Sequence, residues 1–386
     1  MPTSARSYGK INIGLVIGPG RADGFHELRT VYHTIALHDT VRVDAKPGNG
    51  IEIKSKDAHV PLDESNTCYR IAERVLKLAR KEKTPRTKIT ITIEKRLPVQ
   101  GGLGAASSNA VAAMLALERE LKLPISQDSK LRIAAEVGSD LPLFAIGGAV
   151  LGVGHGEEVF PLPELPSFHC VLALPNVAVS TPLAFASWDE QIAESDERDS
   201  WRDRFKTTIV RGYQASVPSL REKRVKDGEP RSAWRERFEP SRGKLTQAES
   251  FDRITLFSRR VHEWLSGYLS QSPNGAGGPK TGVPRGGGKD RGDRAEALLL
   301  DLVRAGIEND FERVVFPEYP ELREVKRALE RNGARYASLS GSGSAVYGLF
   351  ASAKEAAVAA DALRDQVARV EVTQTLGRTE YWQTVL

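Results

Sequence analysis

Apolar and polar side chains alternate along four stretches near the N-terminus, and this period of two predicts strands over residues 31–36, 40–44, 51–54 and 88–93. In the last stretch Ile89, Ile91 and Ile93 share one face, with threonines on the other. Apolar residues at helical spacing instead predict helices over residues 66–79, 107–121 and 126–137.

The second half of the chain starts after a proline-rich segment, residues 162–166, which we interpret as a domain junction. Beyond it the pattern predicts strands over residues 171–174, 345–350 and 370–375. Helices are predicted over residues 295–307, 320–332 and 353–367.

Residues 188–294 differ from the rest of the chain and are rich in Arg, Lys, Asp, Glu, Ser and Trp. Within them, residues 246–269 have apolar positions spaced for one helix face. Residues 272–294 have almost no apolar side chains to offset the entropy of ordering, so we predict disorder there. Arginines interleaved with tryptophans could bind RNA or a protein partner, but a solvated face is the simpler interpretation.

Composition narrows the class of protein. Of the 386 residues, 40% are hydrophobic and 27% are charged, as in soluble globular proteins. Two cysteines, Cys68 and Cys170, are too few for a disulfide framework, and no apolar run is long enough to cross a bilayer. Because no apolar signal segment follows Met1, we expect a cytoplasmic protein. The net charge of +5 permits an anionic substrate as well as a nucleic acid.

A glycine-rich loop, residues 98–109, follows a predicted strand and opens a predicted helix. Gly101, Gly102 and Gly104 allow backbone N–H groups to approach a ligand closely, and the helix N-terminus adds partial positive charge. Such a loop suits a polyphosphate. The loop lacks the Gly-Lys-Ser/Thr of a P-loop and the glycine spacing of a dinucleotide-binding site. The alternative interpretation is an ordinary turn between a strand and a helix.

Two further segments hold candidate chemistry. Residues 339–346 form a loop of small residues directly before a predicted strand. Lys10 lies within an apolar strand, where a charge is costly unless it is paired, and Asp140 is a candidate partner. Each has a simpler alternative. Residues 339–346 could be a flexible linker, Lys10 could reach water from the edge of a strand, and Asp140 could cap a helix.

In chain order, these segments resemble the three motifs of the GHMP kinase superfamily, at residues 10–12, 98–109 and 340–346. Other segments resemble the 4-diphosphocytidyl-2-C-methyl-D-erythritol kinase family in particular, namely residues 23–28, 95–98, 138–142 and 180–182. The resemblance covers about residues 5–186 and 294–350. The sequence departs from the family's usual pattern at Ser139, where alanine is common, and in the long insertion.

The resemblance implies an α+β fold of two domains, the GHMP kinase fold. Residues 1–162 would form a domain like the second domain of ribosomal protein S5, with the ATP-phosphate loop. Residues 167–386 would form a ferredoxin-like domain, interrupted by an insertion at about 188–294, and the helix–strand–helix–strand order over residues 320–375 agrees with this. The family uses ATP and Mg²⁺ to phosphorylate the 2-hydroxyl of a cytidine diphosphate-linked methylerythritol in the non-mevalonate isoprenoid pathway. We therefore expect an ATP-dependent small-molecule kinase with ATP and Mg²⁺ as its cofactors.

By the same resemblance, Asp140 would be the general base and Lys10 its charged neighbour. Residues implied in ATP binding are Asn66, Lys95, Pro98, Gly101, Gly102, Leu103, Gly104, Ala105, Ala106, Ser107, Ser108, Ser340, Gly341, Ser342 and Gly343. Ser107 or Ser108 would lie near Mg²⁺, and no other protein ligand is expected. Residues implied in substrate binding are Asn12, Phe25, His26, Thr181 and Phe185.

Within the substrate site, the resemblance implies that Phe25 and Phe185 sandwich the cytosine ring while His26 bonds its edge. Two alternatives stay open. One is another kinase of the superfamily, acting on mevalonate, homoserine or a sugar, and the three residues just named argue against it. The other is a catalytically silent ligand-binding or RNA-binding protein, which the presence of Lys10 and Asp140 disfavours. We expect a small-molecule substrate, no membrane or nucleic-acid partner, and a monomer or homodimer.

Overall fold

The described residues form ten strands and nine helices outside the short piece near residue 257. The computed structural model describes residues 2–82, 86–99, 101–165, 167–196, 253, 254, 256, 257, 261 and 308–386. In these parts the strands are β1 (Thr3–Gly20), β2 (His26–Pro47), β3 (Ile51–Ser55), β4 (Thr87–Glu94), β5 (Ala149–Val153), β6 (Glu158–Pro161), β7 (His169–Leu174), β8 (Tyr336–Leu339), β9 (Val346–Phe350) and β10 (Arg369–Gln374).

Helices cover the sheets. They are α1 (Thr67–Lys81), α2 (Ala105–Glu120), α3 (Gln127–Ala135), α4 (Leu141–Ile146), α5 (Thr181–Asp196), α6 (Phe311–Glu318), α7 (Pro320–Arg331), α8 (Ala353–Leu363) and α9 (Arg378–Thr384). Across the described ranges, none of the helices has the length and apolar character needed to cross a membrane.

A mixed sheet of six strands forms the first core. Its strands run in the order β3-β4-β2-β5-β6, and β1 pairs with β2. β3 lies parallel to β4, and the other neighbours are antiparallel. The alternation along β4 buries Ile89, Ile91 and Ile93 in one core with residues of α1 and α2. The two strands predicted over 31–36 and 40–44 form one continuous strand, because β2 stays paired with β1 through a register shift between Tyr8 and Gly9.

A second sheet of four strands has the order β10-β7-β9-β8, with all neighbours antiparallel. In chain order this is the fourth, first, third and second strand. Helices α7 and α8 pack on this sheet, because each helix has an apolar face that is buried against the strands. The result is the predicted ferredoxin-like arrangement.

The last residues of the chain return to the first core. Leu376, Tyr381 and Val385 are buried together with residues of α1 and α2. Tyr381 Oη donates a hydrogen bond of 2.6 Å to the carbonyl of Phe144. Residues 376–386, which the resemblance assigned to the second domain, therefore pack on the first core.

The predicted boundary of the insertion, at about residue 188, falls within α5. Trp188 is fully buried in the core of the second domain, and α5 continues to Asp196. Composition changes along α5 before the helix ends, and the extent of the insertion stays a prediction.

Part of this segment also belongs to the core. Ile254, Phe257 and Val261, within the helix predicted over 246–269, have helical backbone and are buried. They share a core with residues of β1, β7 and β9, which lies between the two sheets. The disorder predicted for residues 272–294 and the helix predicted for residues 295–307 lie outside the described residues.

Candidate active site

The two candidate catalytic residues lie side by side. Lys10 projects from β1, and Asp140 stands at the N-terminus of α4. Lys10 Nζ lies 3.8 Å from an Asp140 carboxylate oxygen. The lysine side chain is 4% exposed and the aspartate side chain is 37% exposed, so an accessible carboxylate adjoins a buried ammonium group.

A chain of hydrogen bonds fixes Lys10. Burial lowers the pKa of Lys10, and the Asp140 carboxylate opposes that effect. Lys10 Nζ donates a hydrogen bond of 2.7 Å to the amide oxygen of Asn12. Asn12 donates to the Thr30 hydroxyl at 2.8 Å, and Thr30 donates to the carbonyl of Gly14 at 2.7 Å. The ammonium group is therefore held in one position next to Asp140.

Tyr32, to which the sequence pattern assigned no role, completes this group. Its hydroxyl donates a hydrogen bond of 3.2 Å to Asp140, and Lys10 Nζ lies 5.6 Å from the centre of its ring. Burial, and next the Asp140 charge, raise the pKa of Tyr32 well above its ordinary value. Tyr32 therefore stays a neutral donor that orients one carboxylate oxygen.

The glycine-rich loop, residues 98–109, covers Lys10. The backbone N–H of Lys10 donates to the carbonyl of Leu103 at 3.0 Å. Gly104 precedes α2 with a φ of 69°, and a Cβ there would lie 2.9 Å from the Phe144 ring and 3.1 Å from Lys10 Cγ. Glycine therefore lets the N-terminus of α2, with its unpaired N–H groups and positive dipole end, approach Lys10.

The loop of residues 340–346 closes on the same point. Ser340 Oγ donates a hydrogen bond of 3.0 Å to the carbonyl of Gly102. Gly341 has a φ of 58°, and a Cβ there would lie 3.4 Å from Lys10 Nζ. All three motif segments therefore meet around the lysine side chain.

We expect Gly102→Ala to lose both stability and activity. Gly102 has a φ of 71°, and a Cβ there would lie 2.0 Å from the carbonyl oxygen of Ser340, a backbone atom. The strain and the overlap each cost on the order of 1–3 kcal/mol. Thermal melting should show a Tm lower by at least about 4 °C, and kcat/KM should fall at least about tenfold as the loops separate.

Gly333→Ala is the matched control for this substitution. Gly333 has a φ of 95°, but a Cβ there would meet nothing within 4 Å. The control therefore carries the backbone strain without the overlap. Equal losses in both variants would contradict the close approach of the two loops.

Asn309 positions the loop of residues 340–346 and lies outside every motif. It is 1% exposed, and its side-chain nitrogen donates to the carbonyls of Leu339 and Gly341, each at 2.8 Å. Its backbone forms a bridge to Leu15 of β1. The sequence does not indicate this role, because the carbonyls that Asn309 contacts are present in every residue type.

A cavity of about 350 Å³ lies beside the glycine-rich loop, within the size range of small-molecule sites. Its lining residues that were predicted for ATP are Asn66, Lys95, Pro98, Gly101, Gly102, Leu103, Gly104, Ala105, Ala106 and Ser107. Val60, Pro61 and Val99 add an apolar wall. The cavity therefore offers an apolar wall for a base next to the helix N-terminus that suits phosphates.

Two of these lining residues, Lys95 and Asn66, also make hydrogen bonds that stabilise the wall of the cavity. Lys95 Nζ donates at 2.5 Å to Asp39, whose fully buried carboxylate also accepts from the backbone N–H of Arg96 at 2.6 Å. Asn66 caps α1 and accepts from the N–H of Cys68 at 2.8 Å. Their side chains therefore shape the cavity as well as facing it.

The two serines considered for the metal differ in access. Ser107 lines the cavity, whereas Ser108 is 2% exposed and accepts a hydrogen bond of 2.8 Å from Ser7. The geometry therefore favours Ser107 of the two. In the described part of the chain, no three His, Cys, Asp or Glu side chains cluster closely enough to hold a metal ion.

The residues predicted to bind a base lie near the start of β2 and on α5. Phe25 is 53% exposed and stacks on His155, with ring centres 4.8 Å apart. His26 stacks on Phe185, with ring centres 4.9 Å apart and planes at 12°. The sandwich of a base between Phe25 and Phe185 stays a prediction, because each phenyl ring here stacks on a histidine.

His155 connects this aromatic group to the residue before Asp140, a link that the sequence pattern did not show. Its Nδ1 lies 2.7 Å from Ser139 Oγ, and Ser139 directly precedes Asp140. Alanine at residue 139 would leave the imidazole without this partner.

Helix α5 meets the loop of residues 340–346. Thr181 Oγ1 lies 2.7 Å from Ser342 Oγ. A residue predicted for the substrate and one predicted for ATP are therefore in direct contact.

Comparison with known proteins agrees with this architecture. The family description GHMP kinases N terminal domain matches residues 66–148, and GHMP kinases C terminal matches residues 295–369. A solved 4-(cytidine 5'-diphospho)-2C-methyl-D-erythritol kinase is similar at a TM-score of 0.58 and 24% identity, over 97% of this chain and 99% of that one. A homoserine kinase from Cytophaga hutchinsonii is similar at a TM-score of 0.57 and 17% identity, over 97% and 95%. These likenesses confirm the predicted fold class.

Sequence relatives narrow the family. A 4-diphosphocytidyl-2-C-methyl-D-erythritol kinase from Acaryochloris marina is 28% identical over 356 residues, which cover 92% of this chain and 89% of that protein. One from Solibacter usitatus is 31% identical over 350 residues, which cover 89% and 80%. As its motifs predicted, the chain belongs to the 4-diphosphocytidyl-2-C-methyl-D-erythritol kinase family.

Proposed function

We propose that this chain transfers the terminal phosphoryl group of ATP to the 2-hydroxyl of 4-diphosphocytidyl-2-C-methyl-D-erythritol, in the cytoplasm, for isoprenoid precursor synthesis by the non-mevalonate pathway. The observation that carries the proposal is the Lys10–Asp140 pair beside the N-terminus of α2. The names of the chain's relatives support the choice of acceptor. A cytidylated sugar alcohol and ATP are both anionic, in agreement with the net charge of +5.

Asp140 would act as the general base. Its carboxylate is accessible, accepts a hydrogen bond from the Tyr32 hydroxyl and lies beside the Lys10 ammonium group. In the transfer, the substrate hydroxyl gives its proton to Asp140 while its oxygen forms the new bond to phosphorus. The bond from phosphorus to the departing ADP oxygen breaks, and its electron pair stays with ADP.

Lys10 would neutralise charge on the phosphoryl group during transfer. Such reactions need mainly alignment and charge neutralisation. Lys10 Nζ is buried and oriented by Asn12, so its attraction for an anion is weakly screened and needs little reorganisation. Asn12 would in this way place both the ammonium group and the acceptor alcohol.

The ATP phosphates would lie against the N–H groups at the start of α2, with the base in the cavity beside Val60 and Val99. The donor set fits Mg²⁺ held mainly by phosphates, since Ser107 offers one neutral oxygen at the cavity wall and the described residues hold no carboxylate cluster. When bound, the ion would offset negative charge on the phosphates.

The Phe185→Ala variant should raise KM for the cytidylated substrate about tenfold with kcat changed less than about threefold. The substitution removes an aromatic face and the ring that supports His26, and such base–aromatic contacts are worth about 1–3 kcal/mol. Steady-state kinetics at saturating ATP measures this. Phe160→Ala is the control, because Phe160 is 52% exposed on β6. A KM within twofold of the unsubstituted enzyme would remove Phe185 from substrate binding.

Release of ADP in the presence of different acceptors tests the proposed function. Purified protein with ATP and Mg²⁺ should release ADP with 4-diphosphocytidyl-2-C-methyl-D-erythritol and not with homoserine or mevalonate. Turnover of homoserine or mevalonate without turnover of the cytidylated compound would refute the choice of acceptor while leaving a GHMP-type kinase. No turnover with any acceptor, while ATP still binds, would support a silent ligand-binding protein instead.

A further inference from the structure

One face of α5 carries three polar or aromatic contacts to the site, at Thr181, Phe185 and Asp189. Their spacing of four residues places them on the same side of the helix. Thr181 meets the loop of residues 340–346, and Phe185 stacks on His26. Asp189, which no motif includes, is the third member of this row.

Asp189 contacts the imidazole of His26, the residue proposed to bond the edge of the base. Its Oδ1 lies 2.7 Å from His26 Nε2. The His26 side chain is 9% exposed and stacks almost parallel on Phe185, so two contacts fix both the plane of the ring and its rotation within that plane. The Asp189 side chain is 59% exposed.

The chemistry of the carboxylate determines which imidazole nitrogen carries hydrogen. An ionised carboxylate only accepts hydrogen bonds, so His26 must donate from Nε2. A neutral imidazole with hydrogen on Nε2 has a lone pair on Nδ1. Among the described residues, none donates a hydrogen bond to that Nδ1.

We propose that Asp189 is a positioning residue that holds His26 as the Nε2–H tautomer, so that Nδ1 accepts a hydrogen bond from the exocyclic amine of cytosine. The inference rests on the proposed function, because it assumes a cytidylated substrate. It assigns base selectivity to a pair, His26 and Asp189, rather than to His26 alone.

This arrangement discriminates cytosine from uracil. Uracil has a carbonyl oxygen where cytosine has the amine, so two acceptors would face each other across the contact. A site built to receive a donor rejects an analogue without one far more strongly than an apolar pocket does. Stacking on an aromatic ring cannot supply this difference, because every base has an aromatic face.

Kinetics with two acceptors tests the pair. Asp189→Asn offers either an oxygen or an NH₂ group to Nε2, so it permits both tautomers of His26. We expect the ratio of kcat/KM for the cytidylated substrate to that for its uridylated counterpart to fall about tenfold, mostly through KM. Asp189→Glu should restore part of the ratio. Glu190→Gln, an exposed carboxylate on the same helix, should leave the ratio unchanged.

A nitrogen-15 NMR spectrum of the full chain provides a readout that needs no turnover. The proposal predicts the Nε2–H tautomer for His26 at neutral pH in the unsubstituted protein and a mixture of tautomers in Asp189→Asn. An Nδ1–H tautomer or an imidazolium in the unsubstituted protein would overturn it, as would an unchanged selectivity ratio in Asp189→Asn. If neither acceptor is turned over, the proposed function fails, and the spectrum still decides whether Asp189 sets the tautomer.

Discussion

The Asp140→Asn variant should lose at least about a thousandfold in kcat, because a general base contributes about 10²–10⁴ and its charge also holds Lys10 in place. The substitution keeps the size of the side chain and its bond from the Tyr32 hydroxyl, so the site should keep its shape. Dissociation constants for ATP, measured by calorimetry, should change less than about threefold, since the proposed contacts of the phosphates are to backbone N–H groups of another segment.

Glu158→Gln is the control for the loss of one carboxylate. Glu158 is exposed on β6 and lies outside the site, so its substitution should leave kcat and ATP affinity unchanged. A kcat for Asp140→Asn within tenfold of the unsubstituted enzyme would remove Asp140 as the base. A parallel loss of ATP binding would instead assign it to the nucleotide site.

The Lys10→Met variant should lower kcat about 10²–10³-fold, the cost typical of removing one preorganised charge from a reacting centre. Methionine is unbranched and apolar and reproduces the lysine side chain as far as Cε, so it fills most of the same buried space. Removal of a buried ammonium also removes its desolvation cost, so the Tm should not fall by more than about 3 °C. Single-turnover kinetics and thermal melting measure the two quantities.

Lys54→Met provides the comparison for Lys10→Met. Lys54 is 55% exposed on β3 and pairs with Glu52 at the surface, where ion pairs contribute little. Its substitution should change neither kcat nor Tm measurably. If Lys10→Met kept more than a third of the original kcat, the ammonium group would have no part in the transfer.

Physical rules that act locally marked Lys10 and the glycine-rich loop as candidates. A lysine in an apolar strand needs a partner, and the glycines at 102 and 104 permit backbone conformations that other residues resist, so the sequence alone marked both segments. The structure then shows why they belong together, since Gly104 has no side chain to hold α2 away from Lys10. The resemblance to a kinase family supplied the roles.

Contacts between distant segments were beyond the reach of sequence patterns. Asp189 lies 163 residues from His26, and nothing in the alternation of either segment indicates that they meet. The side-chain nitrogen of Asn309 donates to the backbone carbonyls of Leu339 and Gly341, and backbone partners cannot be recognised from residue types. The contacts of both residues form only once the chain has folded.

Short elements were missed for a different reason. α4 has six residues and α9 has seven, which is too few for a helical period to appear in the apolar pattern. α4 begins next to Asp140, and α9 returns the chain end to the first core, so both matter to the site. Trp188 was assigned to an insertion because the composition around it is polar, whereas its ring is buried.

A crystal structure with a non-hydrolysable ATP analogue and 4-diphosphocytidyl-2-C-methyl-D-erythritol tests the central claim most directly. The distance to measure joins the Asp140 carboxylate to the 2-hydroxyl oxygen of the substrate. We predict about 2.6–3.2 Å, with the terminal phosphate next to Lys10 Nζ. An acceptor hydroxyl separated from Asp140 by more than one water molecule, or a terminal phosphate remote from Lys10, would contradict the account.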